Sequence, residues 1–324
     1  MQFLLLVLFF FSGVSALIYQ TVWIRQFGLV FGVDVFAAAT VLTAFMAGLA
    51  FGSWIFGRMA DQRKQPLKLF ALLELGIGLF ALLFSSAFHV LESVYLTLYR
   101  VLPMGFYAAQ LVRFVLAFFF LLVPTMLMGG TLPVLSKMFV KQIKTLGWNV
   151  GKLYSVNNLG ALLGCFLAGF VLIRAVGHHH SMMLAAALNL ANAAVAFLLA
   201  RGGAEPPEPV PASLPPIEEA PLLSNRVIRF VLWAFAVEGF TALAYEVIWT
   251  RILLGFSYDK SLYFYSTVIF TFIFGLSLGS ILMAKATDRN RNLLMLFAGI
   301  EIAVGVTAIV LLTGFTRIAD ILVE

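Results

Sequence analysis

Glu74, Glu246 and Glu301, with Arg25 and Arg251, stand inside or at the edges of long apolar stretches. A charged side chain in hydrocarbon is costly, so such residues are sites by default: they pair, relay protons or hold ions. Glu74 and Glu301 are flanked by apolar residues on both sides, and Glu246 lies one turn before Trp249 and close to Arg251. Two uses of Glu74 and Glu301 stay open on sequence alone. One is coupling to a proton or a small cation; the other is a structural tie between helices, with Arg25 or Arg251 as the partner. A second set stands at helix ends, Arg58 with Asp61 and Asp288 with Arg289. A carboxylate among basic residues there predicts a latch built from salt bridges and the helix dipole.

Other reactive groups lead nowhere. His178, His179 and His180 are consecutive, and three neighbours on a regular helix cannot all face one metal ion. Cys165 is the single cysteine and sits in a Gly/Leu/Ala stretch, which reads as a small buried thiol. Gly76 and Gly78 lie within an apolar run rather than after a strand, and no phosphate loop, serine elbow or zinc-binding HExxH is present. No metal or cofactor is therefore expected.

The elements that must position these groups are membrane helices. The chain has 324 residues, 62% hydrophobic and 11% charged, with a mean hydropathy of +1.02. So few charges cannot cover a soluble surface, and lipid is the expected solvent. Residues 3–24, 35–57, 67–88, 108–130, 153–173, 181–200, 227–250, 262–284 and 293–316 are each long enough to span about 30 Å of hydrocarbon. The expectation is an all-α bundle of about nine spans, since a backbone in lipid must satisfy its own hydrogen bonds. Residues 89–107 read as an amphipathic helix lying on the outer surface. The net charge of +6 predicts no nucleic-acid affinity, because most basic residues fall in loops on one side. Arg58, Arg63, Lys64, Lys137, Lys141 and Lys285 are among them, which places the N-terminus in the cytoplasm.

Between 202 and 224 the composition turns to proline and glutamate with no basic residue, as in an extended linker. It separates a six-helix unit, 1–201, from a three-helix unit, 225–324. A repeat straddles it: Gly13 to Arg25 returns as Gly239 to Arg251, offset by 226 residues. The offset becomes 227 for Gly48/Gly275, Gly52/Gly279, Asp61/Asp288, Glu74/Glu301 and Gly78/Gly305. An even number of spans between the copies makes the duplication parallel. Its return in mid-chain also argues that the first copy is structure, not a cleaved signal. The second copy stops after its third helix, so the chain reads as the front of a longer design or as a truncated product. Gly48/Gly52, Gly275/Gly279 and Gly160/Gly164 are spaced to admit a second helix closely.

The turn after the second span resembles, in part, the loop between the second and third helices of the major facilitator superfamily. More broadly, Ser15 to Trp23, Ala44 to Ser53, Glu74 to Gly78, Pro124 to Pro133 and Tyr154 to Ala161 resemble bacterial membrane proteins of the spermidine-synthase-like group. These are fusions of a major-facilitator-like membrane region to an aminopropyltransferase domain. The resemblance implies an inner-membrane protein that handles or transports a small cationic substrate such as a polyamine, alongside a soluble aminopropyltransferase domain or protein. The alternative is a non-transporting anchor or scaffold. No strand followed by a glycine-rich loop occurs, so the family's enzymatic residues do not carry over, and whether the chain catalyses anything stays open.

Overall fold

The computed structural model describes residues 1–31, 34–102, 104–139, 146–202, 224–256, 262–289 and 292–323. The Pro/Glu-rich stretch at 203–223 lies outside them. Among the described residues all regular structure is helical: α1 (Gln2–Phe31), α2 (Asp34–Gln62), α3 (Pro66–Val101), α4 (Phe106–Phe139), α5 (Leu146–Phe166), α6 (Ile173–Arg201), α7 (Asn225–Phe256), α8 (Leu262–Arg289) and α9 (Leu293–Val323). A π-helical segment, Leu167–Leu172, joins α5 to α6.

Among the described residues, eight helical stretches are long and apolar enough to cross a membrane, counting Gly147–Arg201 as one stretch of 55 residues. At 1.5 Å per residue that stretch would extend about 80 Å as one rod, well over twice the hydrocarbon thickness. It is not one rod. Gly177 takes φ 77° and ψ 175°, a backbone open to glycine and not to L side chains. Contacts to α1 show the reversal. Along α5, Asn157 meets Phe9, while Cβ atoms on Gly160 and Gly164 would run into the carbonyls of Phe10 and Val14, so α5 runs parallel to α1. Along α6, Asn189 meets Tyr19 whereas Asn192 meets Leu8, so α6 runs antiparallel.

Two tight crossings set the first six helices. At α2–α4, a Cβ on Gly52 would lie 1.9 Å from the Met126 carbonyl oxygen, and one on Gly129 would lie 2.4 Å from that of Leu49. The Pro124–Pro133 motif is therefore the face of α4 against which the Gly48/Gly52 pair packs. Thr125 Oγ1 donates to Leu121 (2.7 Å) within α4 and to Ala44 (3.3 Å) across to α2. At α1–α5, Asn157 Nδ2 donates to the Phe9 carbonyl at 3.0 Å. α8 packs on α5, where the buried Cys165 thiol donates to the Ser266 carbonyl and the hydroxyls of Ser155 and Ser280 lie 2.8 Å apart. α7 and α9, by contrast, leave their apolar windows open.

The surface helix expected at 89–107 is not separate. α3 continues unbroken from Pro66, well placed at its first turn, to Val101. His89, Glu92, Tyr99 and Arg100 are exposed as expected, but Tyr95 is buried and its ring carries the Arg113 guanidinium of α4 at 4.7 Å. That contact holds the polar extension against the bundle.

If the chain reverses at Gly177, reporters fused at the N-terminus and directly after Gly202 read the same side of the membrane, because six crossings separate them. Reporters on opposite sides would mean that Gly147–Arg201 crosses only once.

Candidate functional site

Glu74 lies midway along the buried face of α3, with no solvent exposure. Ser12 Oγ of α1 donates to its Oε1 at 2.6 Å. On the other oxygen, Asn189 Nδ2 of α6 donates to Oε2 at 2.7 Å and Asn192 Nδ2 at 3.3 Å. The network extends outward: Tyr19 donates its hydroxyl to Asn189 Oδ1 at 2.8 Å, and Asn192 Nδ2 also reaches the Leu8 carbonyl at 2.9 Å. Asn189 and Asn192 are three apart on a helix and so share a face. Neutral donors, not Arg25 or Arg251, hold this carboxylate. This set of hydrogen bonds ties three helices to one group.

Apolar packing seals the network on both sides. Towards one end Tyr19 stacks on Trp23 (ring centroids 5.6 Å apart), Trp23 on Phe84 (5.8 Å) and Phe84 on Phe88 (5.5 Å). Towards the other, Leu8, Phe70, Leu73, Leu135 and Ala196 close together. Glu74 is enclosed, and no substrate reaches it without parting α1, α3 and α6.

Glu246 is placed differently. With Gln20 and Ile24 of α1, Ala38 and Leu42 of α2, and Thr250 and Arg251 of α7, it lines a cavity between the two units. Gln20 and Glu246 are the paired positions of the sequence repeat, brought to one cavity. Glu246 Oε2 is buried and has no hydrogen-bond partner among the described residues. Thr250 donates to the Glu246 backbone carbonyl instead, at 2.7 Å. Glu246 and Arg251 thus share one small, mostly apolar space. Glu301 lines a separate groove between α7 and α9, with Glu238, Trp233 and Tyr245. Arg25 lies near His178, at the end of the bundle where the chain reverses.

At the opposite end, the tie between α2 and α4 is made by Lys137, which sequence reading had counted only as a loop charge. Its Nζ donates to the backbone carbonyls of Ala60, Asp61 (2.9 Å) and Arg63 (3.3 Å), neutralising the C-terminal end of α2. Asp61 and Lys137 line one surface pocket, and Arg58 lies over the Trp54 ring at 4.6 Å. The side chains of Asp288 and Arg289 lie outside the described part. Ser12, Asn189, Asn192 and Lys137 are the residues that sequence reasoning missed. The two asparagines carried a readable signal, since amides three apart in an apolar span need a buried partner.

No family model, curated protein or solved structure matches the chain.

Glu74→Leu strands the Ser12 hydroxyl and the Asn189 amide, at about 1–3 kcal/mol for each buried donor left unmade. The purified protein should therefore melt at clearly lower temperature, whereas Glu301→Leu should melt like the parent. Thermal unfolding in detergent compares the two, and equal effects would contradict the difference in surroundings.

Proposed function

We propose that this chain is a nine-span membrane protein with its N-terminus in the cytoplasm of a bacterial inner membrane. On this reading it is the membrane region of a spermidine-synthase-like protein, with a parallel, major-facilitator-like duplication. It binds and passes a small cationic substrate through the space between the two units. The single observation that carries this reading is Glu246. Its buried, unpartnered oxygen stands in a cavity built from both units, and leaving such a group unsatisfied is costly unless something comes to meet it.

The chemistry of the lining favours a ligand with an N–H donor. An ammonium group would complete the acceptor capacity of Glu246, and the Gln20 amide offers a neutral oxygen beside it. Arg251 repels a second positive charge, which disfavours deep entry of a long polyamine and favours one amine group held at Glu246. Glu74, sealed among neutral donors, supports the site by fixing α1, whose Gln20 and Ile24 form one wall.

A second reading, a non-transporting anchor or scaffold, is favoured by α7 and α9, whose apolar windows have no buried residues. Uptake of spermidine or putrescine into vesicles holding the purified protein separates the two. Transport that falls about tenfold or more in Glu246→Gln, the equivalent of about 1.4 kcal/mol, supports the cavity. Equal flux in both forms removes Glu246 from the path. Absence of flux, with recovery of a soluble aminopropyltransferase on the purified chain, favours the anchor.

A further inference from the structure

The four glycine pairs of the repeat stand in opposite surroundings. In the first copy an added Cβ would collide with another helix at Gly13 (Asn157 of α5) and at Gly48 and Gly52 (Thr125 and Met126 of α4), and at Gly78 it would press closely on Leu190 and Ala186 of α6. In the second copy, Gly239, Gly275, Gly279 and Gly305 meet nothing within 4 Å among the described residues. Small residues permit close helix approach, and in the first copy each is used for that.

The same holds for the polar groups. Ser12, Tyr19 and Glu74 correspond to Glu238, Tyr245 and Glu301, offset by 226, 226 and 227 residues. The first three are closed over by α6, whose Asn189 and Asn192 donate N–H groups to Glu74 and whose Asn189 carbonyl accepts from Tyr19. The second three line an open groove between α7 and α9, together with Phe230, Trp233 and Gly305. Two carboxylates facing hydrocarbon would be costly, and the counterpart site shows what covers such a face.

We propose that the α7–α9 groove is an interface for a further membrane-spanning helix, one that presents N–H donor side chains a turn apart to Glu301 as α6 does to Glu74. Gly305 gives it the close approach that Gly78 gives α6. Charge complementarity narrows its chemistry. Position 238 carries a carboxylate where Ser12 supplies a donor, so the partner must bring more donors than α6 does, from amide, guanidinium or ammonium groups. A second copy of this chain is a poor occupant, because its α6 asparagines are buried and already committed to Glu74. The inference does not depend on what the cavity at Glu246 binds.

The test places a photo-crosslinking phenylalanine analogue at Phe230, which lines the same groove, of the full chain in its native membrane, with the same probe at the exposed Leu83 of α3 as the lipid-facing control. The expected product at Phe230 is an adduct to one apolar helical segment outside α1–α9. Mass spectrometry of the adduct should find N–H donor residues three or four positions apart. Its yield should fall at least fivefold in Glu301→Leu and persist in Glu301→Gln, which keeps an acceptor oxygen. Adducts to lipid alone, to a second copy of this chain, or to a segment without the donor pair would overturn the proposal. So would a yield indifferent to Glu301→Leu.

Discussion

A carboxylate sealed in the middle of an apolar bundle constrains everything packed around it. Glu74 has no cation among its hydrogen-bond partners, so α1 and α6 must deliver neutral donors to both oxygens at once. That requirement fixes the rotation of each helix. Ser12 faces α3 only if Tyr19, two turns on, also faces inward, where it reaches Asn189 and stacks on Trp23. Asn192 faces Glu74 only if α6 runs back along α1, and the left-handed backbone at Gly177 supplies that reversal. Hydrogen bonds between membrane helices are individually modest, typically about 0.6 kcal/mol. Their value here lies in specifying one arrangement among many apolar ones.

Glycine sets how near the helices come, and the polar network sets how they are turned. Where both are satisfied, in α1–α6, the helices close on one another. Where the same residue types recur without neighbours, in α7 and α9, the faces stay open. Between these two conditions lies the cavity at Gln20, Glu246 and Arg251, walled by α1 and α2 on one side and by α7 on the other.

The helices were legible in the sequence because apolar length alone announces a membrane span. Their ends were less so. Polarity begins at His89, yet α3 runs on to Val101, because the backbone needs no apolar side chains once Tyr95 and Arg113 hold the extension in place. Glu74, Glu246 and Glu301 stood out as costly residues, and their equivalence by repeat was readable. Their differing surroundings were not, because these depend on which helices cover each face. Of the two uses the sequence left open for Glu74, the helix tie named an arginine as partner, and neutral amides from a span far along the chain hold it instead. Lys137 was hidden among topogenic charges because its partners are backbone carbonyls, which no side-chain motif marks.

The central claim is that the Glu74 contact to α6 is a specific coupling rather than incidental burial. A double-mutant cycle tests it most directly: thermal unfolding of the parent, Glu74→Leu, Asn189→Leu and the double variant in detergent. The account predicts that the two losses overlap, with an interaction energy of about 0.5–3 kcal/mol. Strictly additive losses would show that the carboxylate and the amide act independently, and would contradict it.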